Sequence, residues 1–438
     1  MPRSSLTPRQ LRVVATASRE KVVDALADLR RTSPTRWLPN SHTYKNGAAP
    51  WSLPRASRRA QLVELIAASA PNHCIDSWGF LARSLQALVA GDPHSARHFA
   101  YYAELRAALS MLAANGFGVF NSWNCVVNKD GTLLALETSR ERLFGTHVMA
   151  WLALQAWSEL PIAGGVLGDA LAIRSTTFAA AISLMWPGAT TRPLAKDLVL
   201  AWGVDLARSL DDRRERNTSS YNPQSLTPLA TDPEKTIDFV SEFWALLEPD
   251  PTDRFLKLDT HLLRLAIERQ NSVLGGGAAA PADIAKRHAN LPQPLQSVVP
   301  IAFLSRSTGP ESPGIQHARR RTPIAKPIEM LARAALLSRV ATAITAKLLY
   351  DAGFSRTAGL TFWSESYGRN RGFWTNVDGA PSPMIGLWTD ISDAVQDAAS
   401  VRIQNSSPLE QADWASAVAN GLPRLCEAER IALWGLCA

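Results

Sequence analysis

The sequence predicts a mainly α-helical protein. Segments rich in Ala, Leu and Arg repeat their apolar residues at the helical period, Pro and Gly separate these segments, and alternating runs typical of strands are few. Hydrophobic residues make up 46% of the 438 residues and charged residues 19%. With a mean hydropathy of -0.07, this composition excludes a disordered chain and argues against several membrane spans. We expect a helical bundle, a second helical unit and one short β-hairpin.

Changes in composition divide the chain into four predicted segments. These are a basic N-terminal arm or helix (1–60), a helical bundle (61–271), a Pro- and Gly-rich linker or irregular loop (272–327), and a Trp-rich C-terminal helical unit (328–438). A chain of this length is expected to hold two or three structural units.

The positive charge of the chain is concentrated in the N-terminal arm. Residues 1–60 contain 12 Lys or Arg and 3 acidic residues, a net charge of +9, whereas the rest of the chain carries a net charge of −2. A first helix is predicted from Pro8 to Arg31, where Ser33-Pro34 ends it. Two interpretations of the arm stay open: it binds a polyanion such as nucleic acid, or it is a solvated basic face.

The strongest helix signal lies between Asp92 and Gly116. Asp92 is a good N-cap, Pro93 suits the first helical position, and Asn115-Gly116 is a good stop. Residues 117–137 contain the predicted hairpin, with Lys129-Asp130-Gly131 as its turn. Further helices are predicted at 146–159, 166–186, 193–215 and 233–248, then from Pro327 to Gly353, with several shorter helices after it.

Sequence patterns exclude several functional classes. The N-terminus lacks the apolar segment of a secretory signal, and no run is long and apolar enough to span a membrane. Phosphate-binding and dinucleotide-binding glycine loops and the G-x-S-x-G elbow are absent. His94 and His98 have the spacing of helical metal ligands but lack a third ligand. We therefore expect a cytoplasmic protein with no cofactor, no metal and no membrane partner.

Two stretches of the bundle indicate chemistry when they are taken together. The helix from Pro93 contains YYAELRAA at 101–108, and a later helix ends at Arg216-Asn217, with Tyr221-Asn222-Pro223 following. This combination resembles the HEPN-like superfamily over residues 90–230. The resemblance implies an α-helical bundle, and many such bundles cleave RNA in prokaryotic toxin–antitoxin and antiviral defence systems.

The resemblance also implies roles for individual residues. In catalytic members an Arg holds the scissile phosphate and a nearby His moves a proton, so that no metal is required. Arg216 and Asn217 match the first two positions of this motif, and Tyr221 stands where the His is expected. Glu104 would be the acidic residue that orients the Arg. Because Tyr is a poor base at neutral pH, the bundle would either cut RNA with an unusual group or bind without cutting.

Structural alternatives for these residues stay open. Arg216 is a suitable cation for a helix C-terminus, and Tyr221 is suited to a capping turn. Glu104 sits within the strongest helix, where a purely structural role is an alternative. His147 starts a later helix, where it is either a structural histidine or a residue facing the bundle interior near Arg216.

A second candidate site lies in the C-terminal unit. The segment TFWSESYGRNRGFW interleaves Trp363 and Trp374 with Arg369 and Arg371. This composition is typical of a surface that stacks on bases, and also of a protein-interface hot spot. Core packing of the rings is the third interpretation.

These observations predict an RNA- or partner-binding component of a prokaryotic defence or stress system, with metal-independent RNA cleavage as an extension of that prediction. RNA, a protein partner or a second copy of the chain are the expected partners. The alternatives are a non-enzymatic helical scaffold subunit, and a nucleic-acid-binding protein that acts through its basic arm.

Overall fold

The structure is a computed structural model. The described residues are 5–32, 55–120, 123–138, 144–189, 192–209, 232–275, 281–307, 309–320, 322, 325–355, 359–375, 379–381, 384–404, 410, 416 and 421–437. Within these ranges, only the backbone is described at 55–61, 362, 384, 385, 402 and 422.

The described residues form a mainly α-helical protein with a few short antiparallel strands, as the sequence predicts. The helices of the first part are α1 (Pro8–Val14), α2 (Arg19–Thr32), α3 (Arg55–Val89), α4 (Pro93–Ala113), α5 (Thr146–Ser158), α6 (Pro161–Ala170), α7 (Phe178–Met185) and α8 (Ala195–Ala201). Those of the second part are α9 (Pro233–Leu247), α10 (Leu256–Val273), α11 (Pro281–His288), α12 (Gln293–Val298), α13 (Ile301–Leu304), α14 (Pro313–Arg319), α15 (Pro327–Asp351), α16 (Thr361–Arg371), α17 (Thr389–Gln404), α18 (Leu422–Leu425) and α19 (Arg430–Cys437). Short 3₁₀ turns lie at Leu206–Arg208 and Met384–Leu387.

The helix predicted from Pro8 to Arg31 is two helices. The chain leaves the helical path after α1 because its backbone pairs with the small sheet: Ser18 N–H donates to the carbonyl of Val127 at 2.9 Å. Apolar residues of α1, of α2 and of the segment before α1 join the main core, among them Leu6, Val14 and Leu26. The described part of the N-terminal arm is therefore packed against the body of the protein.

Helix α4 and the hairpin that follows it confirm their predictions. Asp92 caps α4 by accepting a hydrogen bond from Ser95 N–H at 3.0 Å, and Gly116 ends the helix region at φ +89°. The sheet is three-stranded and antiparallel, with strands β1 (Phe117–Val119), β2 (Asn124–Val127) and β3 (Leu133–Ala135). Gly131, at φ +80°, occupies the predicted turn between β2 and β3.

The prediction of one helix over 166–186 is wrong. Helix α6 ends at Ala170, and a second small hairpin, β4 (Ala172–Ile173) and β5 (Thr176–Thr177), separates it from α7. The helix predicted over 193–215 is represented by α8 and the turn at Leu206–Arg208, and its remainder from 210 lies outside the described residues.

The region 272–327 was predicted to be a linker or an irregular loop, and this prediction is wrong for its described part. Helices α11 to α14 occupy it. Apolar residues along this region belong to the main core, including Ile284, Leu291, Leu295, Val299 and Ile315. Proline begins or precedes these helices, which is the position where its missing N–H is harmless.

Helix α15 lies in the centre of the molecule rather than at the edge of a separate unit. It packs against α3 and α4 on one side and contacts α14 and α19 elsewhere. Nineteen of its residues are buried, and one hydrophobic cluster runs from Leu6 to Cys437. The predicted boundary at 327/328 therefore does not divide the core.

Candidate nucleic-acid interface

The residues predicted to carry RNA cleavage are only partly described. Arg216, Asn217 and Tyr221 lie in 210–231, outside the described residues. Glu104 is in α4 with its side chain 6% exposed, and its Oε1 accepts a hydrogen bond from Nε of Arg333 in α15 at 3.1 Å. Glu104 thus takes part in an ion pair between two central helices.

The two predicted tryptophans lie in the core. Trp363 is 2% exposed and Trp374 is 8% exposed. The ring of Trp374 lies against Gly368 of α16, so closely that a Cβ there would come within 1.9 Å of it. Because Trp363 and Tyr367 are four residues apart, they face the interior together, and their ring centroids are 5.4 Å apart. This burial corrects the prediction of an open stacking surface at Trp363 and Trp374.

The two predicted arginines lie at the surface of α16. Arg369 pairs with Glu365 at 3.2 Å along the helix, and Arg371 pairs with Glu429 at 3.1 Å. The guanidinium of Arg371 also lies 5.5 Å from the ring centre of Tyr367. Burial raises the pKa of Glu429, and the charge of Arg371 opposes that rise.

A different group of rings is partly open to solvent on the helices α3, α4 and α5. We call it the aromatic strip, and it consists of Phe80, His98, Phe99, Tyr102 and His147. The ring centroids of Phe80 and Tyr102 are 5.2 Å apart, those of His98 and Tyr102 are 5.0 Å apart, and those of Tyr102 and His147 are 5.6 Å apart. The strip is therefore continuous from α3 across α4 to α5.

Helical periodicity explains why these residues meet. His98 and Tyr102 are four residues apart on α4, and Arg106 is four residues further on, so all three share one face. Phe80 and Arg83 are three apart on α3 in the same way. The short connection between the two helices makes them neighbours, and α3 and α4 pack extensively together. The face of α3 and the face of α4 that carry aromatic and arginine side chains therefore form one surface.

Two guanidinium groups flank Phe80. The guanidinium carbon of Arg83 lies 5.5 Å from the ring centre, and that of Arg106 lies 5.9 Å from it. Arg106 Nη1 donates to Nδ1 of His73 at 3.0 Å and lies 3.6 Å from Oδ2 of Asp76. Because guanidinium has no acceptor, Nδ1 of His73 carries no proton in this contact.

His147 is held at the α5 end of the strip by Tyr101. The Tyr101 hydroxyl lies 3.2 Å from Nδ1 of His147, and the indole N–H of Trp151 donates to the same hydroxyl at 3.5 Å. The rings of Tyr101 and His147 are stacked, with centroids 5.8 Å apart. Tyr101 is fully buried and His147 is half-buried, so the buried tyrosine fixes the orientation of an accessible imidazole.

Arg83 also interacts electrostatically with groups of the C-terminal helices. The charge of Arg83 acts on the buried groups of Tyr367 and Glu429. Burial raises the pKa of Tyr367, and the charge of Glu429 raises it further. The Arg371–Glu429 pair is therefore an electrostatic neighbour of the aromatic strip, although the tryptophans of the same segment are not part of it.

The chemistry of this surface suits single-stranded nucleic acid. Flat rings and imidazoles offer faces on which unpaired bases stack, and guanidinium groups contact phosphates and ring faces. Sequence reasoning named His98 only for its metal-ligand spacing and the 101–108 stretch only for the HEPN-like resemblance, and it missed Phe80 and Arg83. The signal that would have found them is the pairing of the α3 face with that of α4, which requires the antiparallel arrangement of the two helices.

Other possible sites are limited in the described residues. None of the described His, Cys, Asp and Glu side chains forms a group of three or more that could hold a metal ion. No described helix combines the length and the apolar character needed to cross a bilayer. Comparison with known proteins gives no match: no family model, no curated protein and no solved structure is similar to the chain.

Proposed function

We propose that the protein is an RNA-binding component of a prokaryotic defence or stress system, and that single-stranded RNA lies along the aromatic strip. The observation that supports this proposal is the continuous row from Phe80 to His147 with Arg83 and Arg106 beside it. The choice of RNA and of a defence or stress role rests on the resemblance of 90–230 to the HEPN-like superfamily.

A single strand is favoured over a duplex for a physical reason. Bases within an A-form helix are stacked on each other, so their faces are closed to protein rings. An unpaired strand can place its bases on rings such as Phe80 and Tyr102 while its phosphates meet Arg83 and Arg106. Stacking is tolerant of base identity, so we expect weak sequence preference.

RNA cleavage is the second part of the proposal. Arg216 would hold the scissile phosphate, Asn217 would donate a hydrogen bond, and Tyr221 would act as a proton donor or positioning group. The described chain reaches Ser209, next to the turn that contacts α5, seven residues before Arg216. His147 on α5, which is half-buried, would supply the imidazole that the 210–231 stretch lacks.

The binding proposal is tested by fluorescence anisotropy with a labelled single-stranded RNA and the matching duplex. Phe80→Leu and Arg83→Gln are each expected to weaken binding of the single strand at least about 5-fold, since stacking contributes about 1–3 kcal/mol per base. Arg83→Gln should also reduce the slope of log K against log salt by about 0.7. Unchanged affinity in both variants would overturn the proposal.

The control for this test is Lys257→Gln. Lys257 is an exposed cation of α10, 58% exposed and paired with Glu248, so its removal alters net charge by the same amount as Arg83→Gln. We expect the RNA affinity of Lys257→Gln to stay within about 2-fold of the wild type, because non-specific charge effects are shared over the whole surface.

The cleavage proposal is tested with labelled RNA in excess EDTA. Wild-type protein should cut the RNA, and Arg216→Ala should bind it with unchanged affinity and no longer cut. Cutting that survives Arg216→Ala, or cutting that stops when EDTA is added, would contradict the metal-independent mechanism. RNA binding without any cutting by the wild type would remove the ribonuclease part and leave the binding part.

The basic arm supplies the alternative nucleic-acid site. Deletion of residues 1–60 is unsuitable as a test because α1 and α2 contribute to the core. Replacing the exposed Arg12, Arg30 and Arg31 by Gln removes charge and leaves the buried apolar residues of α1 and α2 in place, at the cost of the contact between Arg30 and the Phe354 ring. A large loss of RNA affinity in this triple variant, with no loss in Phe80→Leu, would favour the arm. If the wild-type protein itself does not bind RNA, the remaining alternative is the non-enzymatic scaffold.

A further inference from the structure

The molecule also contains a recess whose lining includes none of the aromatic-strip residues. Its volume is about 650 Å³, and it opens between α6, α7, α8 and the middle of α10. The interior is apolar, and its largest side chains are Phe178, Ile182, Leu198 and Trp202. All four are buried residues of the main core. A volume of this size is within the range of small-molecule sites, about 300–1,000 Å³.

Helix α6 keeps one side of the recess clear. It contains Gly164, Gly165 and Gly168 within ten residues, although Gly is a poor helix former. Packing explains two of them, because a Cβ on Gly164 would lie 2.8 Å from the Pro193 carbonyl oxygen and one on Gly168 would lie 3.0 Å from Ala179 Cβ. A Cβ on Gly165 would meet no atom within 4 Å, and Gly165 lines the recess.

Polar groups lie at the rim and not in the interior. Arg192 is exposed, and its guanidinium donates to the carbonyl of Ala179 at 3.2 Å and to the Ser183 hydroxyl at 2.7 Å. These bonds fix the guanidinium on α7 and use two of its five N–H groups. Asp169 is the acidic residue of the rim, one helical turn after Gly165 on the solvent side of α6.

We propose that this recess binds a small amphipathic anion, with an aromatic or other apolar body in the interior and its acidic group against Arg192. The fixed guanidinium favours an anion because little side-chain entropy remains to be lost when it binds. The apolar body replaces water along Phe178, Ile182 and Trp202. Asp169 on the opposite helix disfavours the same ligand by charge repulsion.

The probe for this site is 1-anilinonaphthalene-8-sulfonate, which combines aromatic rings with an anionic group. Titration of the full-length protein, followed by fluorescence, should show one saturable site. Gly165→Leu should weaken binding at that site, because Gly165 lines the recess at its solvent-exposed edge and a leucine side chain there occupies part of the opening. Gly79→Leu is the matched control, since Gly79 is also inside a helix and its Cβ would meet no atom within 4 Å; it should bind the probe as the wild type does.

Two further variants test the charge of the ligand. Arg192→Gln should weaken binding of the probe about 5-fold or more, and Asp169→Asn should strengthen it about 2-fold. Circular dichroism and thermal unfolding of each variant check that the fold is retained, and Gly165→Ala, a smaller change, should weaken binding partially if Gly165→Leu does not fold. Binding that is unchanged in Gly165→Leu or Gly165→Ala, or charge effects of the opposite sign, would overturn the proposal.

Discussion

Nε of Arg333 in α15 donates to Oε1 of Glu104 in α4 across 3.1 Å, in the buried interface of the two central helices. The side chains are 10% and 6% exposed, so each charge is largely removed from water. A buried charge that loses its partner is strongly destabilising, by about 3–5 kcal/mol. The pair therefore links α4, which carries three residues of the aromatic strip, to the central helix α15.

The first prediction concerns this pair. Glu104→Ala should lower the free energy of unfolding by about 3–5 kcal/mol, because it leaves the Arg333 guanidinium buried with one carboxylate fewer. The double variant Glu104→Leu/Arg333→Met should be more stable than Glu104→Ala, since it removes both charges and restores apolar volume. Urea unfolding of the three proteins gives the comparison. A double variant less stable than the single one would contradict this account.

The second prediction is a dependence of stability on pH through Glu311. Its Oε2 lies 2.7 Å from His261 Nδ1 and 2.7 Å from Arg264 Nη2, and its Oε1 lies 3.0 Å from Arg306 Nη2. Burial alone would raise the pKa of this carboxyl, but hydrogen bonds and charge from His261 and Arg264 lower it to about 2. The ordinary pKa of Glu is about 4.3.

Because the folded state holds the carboxylate more strongly than the unfolded state, this stabilisation is complete above the ordinary pKa and is lost as the pH falls toward 2. Glu311→Gln should therefore destabilise the protein at pH 7 by at most about 3 kcal/mol, and at pH 3 by about half as much. Urea unfolding at a series of pH values measures this difference. The control is Glu159→Gln, at a 46% exposed carboxylate, which should change stability by less than about 1 kcal/mol throughout. An equal loss at pH 3 and pH 7 in Glu311→Gln would refute the linkage.

The third prediction uses the contact between Gly368 and Trp374. Gly→Ala inside a helix normally stabilises by about 1 kcal/mol, and Gly79→Ala should do so because its Cβ enters open space. Gly368→Ala should instead destabilise by about 1–3 kcal/mol, since the new methyl group overlaps the Trp374 ring. Thermal unfolding separates the two signs. The loss of unfolding free energy caused by Gly368→Ala should be smaller in a Trp374→Leu background. Stabilisation by Gly368→Ala would show that the Trp374 ring does not lie against Gly368.

The fourth prediction concerns the turn between β4 and β5. Arg174 and Ser175 have φ values of 48° and 62°, in the left-handed region that favours Gly. Arg174 is retained there by ion pairs of its guanidinium with Asp250 at 3.5 Å and Asp253 at 3.4 Å. Ser175→Gly should raise the free energy of unfolding by at most about 1 kcal/mol, because it removes a left-handed backbone cost of about 1–2 kcal/mol but adds the backbone entropy of Gly, about 0.5–1 kcal/mol. Thr176→Gly, in a strand, should lower the free energy of unfolding. Destabilisation by Ser175→Gly would contradict the turn conformation.

Elements with strong local signals were predictable from the sequence. Helix α4 carries its own cap at Asp92 and its own stop at Gly116, and the β2–β3 turn has Gly131 where a positive φ is required. These signals act over a few residues and need no knowledge of the rest of the fold. Helix α15 was predicted for the same reason, since Pro327 marks its first position.

Elements that depend on distant contacts were missed. The break between α1 and α2 exists because Ser18 pairs with Val127, more than 100 residues away. The prolines of 272–327 indicated a loop, but Pro281 and Pro313 begin helices whose apolar sides reach the core. A proline in the sequence is compatible with the first turn of a helix and with a loop. In this region the two are distinguished by whether the residues of the next turn are buried in the core.

The candidate site was predictable in part. Composition left three interpretations of the segment around Trp363 and Trp374: a base-stacking surface, an interface hot spot and core packing. In the structure both tryptophans are buried, while Arg369 and Arg371 lie at the surface. The aromatic strip combines Phe80 of one helix with Tyr102 and His147 of two others, so no single segment contains its signature.

The most direct test of the RNA-binding account is the position of crosslinks from single-stranded RNA that contains 4-thiouridine. After irradiation of the complex with near-ultraviolet light, mass spectrometry of the digested protein identifies the crosslinked peptides. The account predicts crosslinks in the peptides that contain Phe80, Tyr102 or His147, lost when excess unlabelled RNA is added. Crosslinks confined to residues 1–60 or to residues after 360 would contradict it.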